Sequence, residues 1–225
     1  MINKKSLGEQ IHEELKKDIF EQKIRFGEKL VNRDLQQRYG VSSTPIRDAI
    51  NYLYMDGLLQ SVSQGGARVI DFDNAYALEI NELIAMMNCS AIALSVKKGE
   101  KDIIVKELEI AIRKQEEFLN TDRYFDYDHQ FHKVFFTNSK NQSLIKLYDQ
   151  YSSLWQLLFR FYYRDKATRR EYSIAAHKQI LNLYRESKVE QVIQEMKQHF
   201  EQATQTLEKA PGGAANEPLP GKTNG

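Results

Sequence analysis

Between Asp73 and Lys209 the chain contains no proline. Proline removes a backbone N–H and clashes with the preceding turn, so a stretch this long without one is free to be helical throughout. Punctuation within it marks the helices. Asp73 is placed to cap a helix that runs to Lys98 and stops at Gly99, and Asn141 is placed to start another. "TRRE" from Thr168 and "SKVE" from Ser187 have the spacing of capping boxes. The pattern predicts an all-α bundle of about six helices over residues 73–209. Pro45 stands near the start, and Pro211, Pro218 and Pro220 fall in "APGGAANEPLPGKTNG". That tail, residues 210–225, has no apolar periodicity and reads as disordered.

Residues 1–70 follow another plan. Leu7, Ile11, Leu15 and Ile19 recur every four positions as one helix face, Gly27 ends that pattern, and Asn32 is placed to cap a short helix that ends at Gly40. "VSSTPIRDAINYLYMDG" then offers hydroxyl caps, a proline suited to a first helical turn, an apolar face and a closing Gly57. In "LLQSVSQGGARVI" β-branched residues flank Gln-Gly-Gly, as in a hairpin. Three helices and a hairpin predict a winged helix-turn-helix, so the whole chain is expected to be mainly α.

On that plan the helix after "YGVSS" presents Ser42, Ser43, Thr44 and Arg47 to base edges in a major groove, with Arg33 reaching phosphate or guanine. Gln64, Gly65 and Gly66 would form the wing tip, and Arg68 could touch the DNA backbone. The alternative is that the arginines are ordinary solvated residues of an interaction module. Charge does not separate the two, since the chain as a whole carries 32 basic and 31 acidic residues. A coat of basic residues for nucleic acid or a membrane surface is therefore excluded.

A hydrophobic content of 41% suffices for real cores. A single cysteine, Cys89, excludes an internal disulfide framework, the start of the chain has no apolar stretch of a signal peptide, and no run was expected to span a bilayer. Cytoplasmic localisation without a membrane partner is the expectation.

"FDYDHQFHKVFF" places Asp128 and His132 four apart within an aromatic run, and so on one helix face. A carboxylate facing a core is costly unless paired or metal-bound. If the chain turns near Ser187, His177 and His199 stand about 15 and 18 Å from the turn on antiparallel helices, and so nearly level. Three imidazoles and one carboxylate suit a divalent ion, zinc first, with nickel or manganese as alternatives. The competing reading gives each histidine its own core hydrogen bond and pairs Asp128 with Arg160 or Arg164.

Residues 7–70 resemble the DNA-binding domain of the GntR family of bacterial regulators. The matching pieces are "I.FGEKL", "DLQQRYGVS", "TPIRDAINYL", "DGLL" and the glycine before "ARV", in the family's order. Residues 73–209 resemble the all-helical effector domain of the FadR subgroup, the FCD domain, through "DHQFH", "NSKNQSL", "HKQIL" and "MKQHF". The resemblance implies metal ligation by Asp128, His132, His177 and His199, a small carboxylate effector beside the metal, a homodimer, and a pseudo-palindromic double-stranded operator. It also favours repression.

The departures matter. Ser43 stands where many members carry arginine and Gln64 where a wing glycine is common, so the operator is expected to differ and Arg33 and Arg47 to carry more of the contact. Asn81 and Ala85 replace an arginine and a glutamate, and Ala176 replaces an acceptor behind the metal ligands. Asn81, Arg160 and Arg164 are then the candidate effector contacts. A metal-dependent enzyme and an effector-free architectural DNA-binding protein are the alternatives in other classes. The first lacks an evident general base, and balanced charge speaks against the second.

Overall fold

A computed structural model describes residues 5–163 and 167–209. Arg164 and the 210–225 tail, both subjects of the sequence reading, lie outside the described residues. The backbone divides into two compact units, one extending to Tyr76 and the other beginning at Ala77.

In the first unit α1 (Leu7–Phe20), α2 (Asn32–Tyr39) and α3 (Ser43–Met55) surround Leu15, Ile19, Ile46, Ile50 and Leu53, all at most 2% exposed. Each such aliphatic side chain contributes about 1.5–3 kcal/mol by leaving water. Leu7, read as part of the same face, is 56% exposed, because helix entry lifts it off the core. α1 opens with a reciprocal capping box between Ser6 and Glu9. Asp56, at the end of α3, accepts from Lys16 at 2.8 Å and meets the His12 ring at 3.0 Å, tying α3 to α1. Arg38 of α2 pairs with buried Asp18 of α1 at 2.5 Å. Gly40 ends α2 with φ 64°, the left-handed conformation that glycine adopts without a Cβ penalty.

The hairpin is present as β2 (Leu59–Ser63) and β3 (Gly66–Val69), but β3 is the middle of a three-stranded sheet. Its other neighbour is β1 (Lys29–Val31), antiparallel with Lys29 opposite Arg68 and Val31 opposite Gly66. Asn32 does not cap α2; Val31 holds that position, and the Asn32 amide donates to the Gln64 carbonyl at 2.9 Å.

The second unit holds α4 (Asn74–Lys98), α5 (Lys101–Glu117), α6 (Arg123–Asn138), α7 (Gln142–Tyr163), α8 (Ala167–Arg185) and α9 (Val189–Glu208). Asp73 accepts from the Tyr76 N–H and Asn141 from the Leu144 N–H, so both caps form where expected. The two capping boxes do not. Thr168 is already inside α8, and Ser187 adopts φ 59° to close α8, with Lys188 N–H returning to the Leu183 carbonyl. A residue spent on ending one helix in the left-handed region cannot also cap the next.

α4 corrects a further expectation: by length and composition it is apolar enough to cross a membrane. Yet Asn81, Asn88 and Ser95 lie on its buried side and bond to other helices of the unit. It is one wall of a bundle, and 44% of its most apolar window is buried.

Candidate functional site

On the winged helix, α3 begins at Ser42 without any side-chain cap. The hydroxyls of Ser42, Ser43 and Thr44, expected to serve as caps, are not used in that way. Ser42, Thr44, Arg33 and Arg47 are exposed and Ser43 is half-buried. Arg33 and Arg47 have no ion-pair partner among the described residues, whereas Arg38 is held by Asp18. Uncapped N–H groups at a helix start favour anions such as phosphate.

Gln64 and Gly65 form the exposed wing tip. Gly66 is different: it is buried, its φ is 148°, and a Cβ there would stand 1.9 Å from the Leu30 carbonyl oxygen. Its role is to let β3 approach β1. Arg68 is exposed and donates to the Gly27 carbonyl at 2.5 Å.

In the helical unit, α6 carries Asp128 and His132 inward, 1% and 0% exposed. Three helices bring the imidazoles together: ring centres lie 5.1 Å apart for His132 and His177, 5.4 Å for His132 and His199, and 4.8 Å for His177 and His199. Each ring offers one nitrogen to a cluster spanning no more than 4.8 Å. Packing fixes the rings, with Phe131 stacked on His177 at 3.7 Å and Trp155 edge-on to His132 at 5.1 Å.

Hydrogen bonds behind the rings set their tautomers. His132 Nδ1–H donates to Asn88 Oδ1 and His177 Nδ1–H to Gln115 Oε1, each at 3.0 Å. The lone pairs then sit on His132 Nε2 and His177 Nε2. Those two atoms and His199 Nδ1 are buried without a hydrogen-bond partner. A buried polar atom left unpaired costs about 1–3 kcal/mol, and one nitrogen from each of three rings is the arrangement that a metal ion relieves. The donor set therefore fits a divalent ion.

Asp128 lies outside that cluster. Its Oδ1 accepts from Ser173 Oγ at 3.1 Å, Tyr124 Oη at 3.2 Å and Gln115 Nε2 at 3.3 Å. Gln115 thus links Asp128 to His177. Burial pushes the Asp128 carboxyl up to about 7, against the opposing bonds from Ser173 and Tyr124. Burial, with the neighbouring imidazoles adding to it, drives His132 and His177 well below the ordinary histidine range, and burial alone takes His199 down to about 4.

A pocket of about 370 Å³, counting its open mouth, adjoins the cluster and has His199, Ser173, Asn81 and Arg169 on its walls among Trp155, Phe159, Tyr163 and Tyr172. Asn81 was expected here and is present, its amide donating to Phe200 O and Thr204 Oγ1. Arg160 is drawn elsewhere, onto Asp126 and the Asp122 carbonyl. The remaining histidines are engaged apart from the cluster, His129 with the Tyr148 hydroxyl at 2.9 Å and His12 with Asp56.

Asn88, Gln115, Tyr124, Ser173 and Arg169 were not singled out from the sequence. For two of them a signal existed. Gln115 continues the stripe Ile104, Leu108 and Ala111 at helical spacing, and Asn88 continues Ile84, so each is a polar residue on a face that must be buried.

A winged helix-turn-helix followed by an all-α unit with a buried histidine cluster defines a DNA-binding regulator with a separate helical domain. The description "Bacterial regulatory proteins, gntR family" matches residues 7–69, and the FCD domain matches residues 79–202. The chain belongs to the GntR family, with an FCD domain as its second unit, and the family's relatives are transcription regulators rather than enzymes.

The uncharacterized HTH-type transcriptional regulator YdhC of Bacillus subtilis is 25% identical over 148 residues, which cover 64% of this chain and 66% of that one. The HTH-type transcriptional repressor GlaR of Escherichia coli is 30% identical over 96 residues, 41% of this chain and 44% of that one. The chain thus spans less than two thirds of the length of these curated relatives. The structure of E. coli McbR/YncC shares the fold, with a TM-score of 0.73 at 20% identity over 92% of this chain and 99% of that one.

Proposed function

We propose that this transcription regulator represses its target promoters, and that a small carboxylate held beside a divalent metal in the helical domain releases it from the operator. The observation that carries the reading is the set of three buried, unpartnered imidazole nitrogens of His132, His177 and His199 converging within 4.8 Å. Zinc suits a nitrogen-rich set best, and nickel or manganese are alternatives. Asp128, outside the three-nitrogen cluster and joined to His177 through Gln115, would offset the ion's charge once deprotonated. When bound, the ion supplies a positive centre that attracts an anion.

The protein's own residues do the selecting. Asn88 and Gln115 hold two rings with their lone pairs free, Trp155, Phe159 and Tyr163 keep water from one side of the pocket, and Arg169 is the cation placed for a carboxylate. Arg33, Arg47 and the hydroxyls of Ser42, Ser43 and Thr44 would read the operator, with the wing tip at Gln64 and Gly65 beside it. Residues 1–70, 73–209 and 210–225 serve as reader, sensor and tail in a homodimer acting in the cytoplasm. GlaR, a repressor by name, supports the sign of regulation.

An effector shifts operator affinity only by its differential affinity for the two arrangements, typically ~1–3 kcal/mol, or about 5- to 150-fold. The test is operator binding by the parent protein and by His177→Ala, with and without metal and candidate carboxylates. Metal-dependent release in the parent, and operator binding that no carboxylate relieves in His177→Ala, is the expected result. Equal release in both would refute the metal's role. An unchanged target transcript after deletion of the gene would refute regulation at that promoter.

A further inference from the structure

Where α4 gives way to α5 and α8 to α9, four helix ends surround a second cavity of the helical unit, about 430 Å³ counting its open mouth. It is separate from the histidine cluster. Tyr184 on its wall lies seven residues beyond His177 on α8, and Val192 seven before His199 on α9, about 10 Å along each axis. Val96, Val189, Val192 and Tyr184 give it an apolar lining. Val192 and Tyr184 are buried, whereas Val96 is 41% exposed, so an apolar body seated here would take aliphatic surface out of water. The room inside is about 130 Å³. Since an apolar cavity of ~150 Å³ takes up benzene, the occupant has the size of about five or six carbons.

One edge of the lining is polar. Lys101 and Ser187 stand exposed at the mouth, and Lys101 Nζ donates to Ser187 Oγ at 2.8 Å. Lys101 makes no ion pair among the described residues, because carboxylates near that turn are engaged elsewhere: Glu186 pairs with Lys188 at 2.6 Å and Glu109 with Arg185. Accepting from Lys101 leaves Ser187 its own hydrogen to donate. An ammonium and a hydroxyl side by side, neither committed to an anion, suit a carboxylate, whose charge-assisted bonds are stronger than the neutral contact they replace.

We propose that this cavity is a second ligand site of the helical unit and that it takes an aliphatic monocarboxylate of about five or six carbons. The hydrocarbon chain lies against the three valines and the Tyr184 ring, and the carboxylate accepts from Lys101 Nζ and Ser187 Oγ. A purely apolar body would leave Lys101 without an anion, and a purely hydrophilic anion would leave the valines wet. The site stands independently of the metal reading above.

Calorimetric titration of the full chain, stripped of metal by chelator, tests it with butanoate, pentanoate, hexanoate, octanoate and 1-hexanol as probes. Affinity should rise about 4-fold per methylene from butanoate to hexanoate and level off at octanoate, where the cavity is full. Hexanol should bind ~10-fold or more weakly than hexanoate, for want of the charge-assisted bonds. Lys101→Met should abolish that preference for the acid, and Val96→Trp, which fills the cavity from its exposed side, should abolish binding of both. Both replaced side chains are exposed, so each variant should keep the melting temperature of the parent.

Hexanoate bound as tightly by Val96→Trp or by Lys101→Met as by the parent places the acid elsewhere and overturns the site. Hexanol bound as tightly as hexanoate overturns the anionic head, and an affinity still climbing at octanoate overturns the size. No saturable binding of hexanoate removes the site outright. None of these outcomes bears on the histidine cluster, which holds no ion during the titrations.

Discussion

At the scale of single residues the histidine cluster makes the sharpest prediction. In metal-free protein burial holds His132, His177 and His199 neutral, His199 down to about 4. Between about pH 4 and 6.5 the unfolded chain binds protons at these rings that the native chain does not, so stability rises with pH across that window and is lost as pH falls. Asp128 opposes this: its carboxyl, raised to about 7 from 3.8, keeps a proton in the native state that the unfolded chain has released, and stability falls as pH rises through that range. Three groups outweigh one. Urea midpoints of chelator-stripped protein should increase from pH 4.5 to 6.5, and a flat or falling series would show that the rings are not held neutral.

Gln115 allows a second test, because it bonds both His177 and Asp128. Gln115→Leu should weaken zinc binding ~10- to 100-fold in a chelator competition. The levelling of His177 with His199 was legible in the sequence from the turn at Ser187, and the shared face of Asp128 and His132 from their i, i+4 spacing. Asp128, however, expected as a fourth ligand, lies outside the cluster on Ser173, Tyr124 and Gln115. Asn88 and Gln115 were not legible, because their partners come from other helices and only the packed bundle shows which amide meets which ring.

At the scale of elements, legibility followed the range of the interactions. The caps at Asp73 and Asn141 bond within three residues, and both formed as expected. β1 escaped notice because three residues carry no periodicity and its partners lie some forty positions away. The expected cap at Asn32 failed for a related reason: its side chain found a distant partner in the Gln64 carbonyl. Asn32→Ala should therefore loosen the wing, costing about 1 kcal/mol and speeding amide exchange in β2 and β3 more than in α2. If α2 exchanged fastest instead, Asn32 would be acting as a helix cap.

At the scale of the whole molecule the proposed division of labour is between a unit that exposes Arg33 and Arg47 and a helical unit that buries three imidazoles together. Arg47→Ala should cost about 1–3 kcal/mol in operator affinity and relax the preference at one base pair. Arg33→Ala, if Arg33 meets phosphate, should weaken all sequences alike and reduce the salt slope by about one. Both variants should keep their metal and their melting temperature, measured beside the binding curves. Loss of either would place the arginine in the fold.

Gly66 carries a warning for anyone who maps this protein by its tolerance to change. Any side chain there must displace the Leu30 carbonyl, so Gly66→Ala should lose upwards of about 3 kcal/mol and unravel the sheet beneath the wing. In a saturation library scored by promoter silencing, position 66 will look as indispensable as a base-reading arginine. Its neighbour Gly65, with open space around it, will look expendable. Intolerance at one and indifference at the other would be a record of strand geometry, and a reader of such a library who equates silence with contact would draw the operator interface one residue too deep.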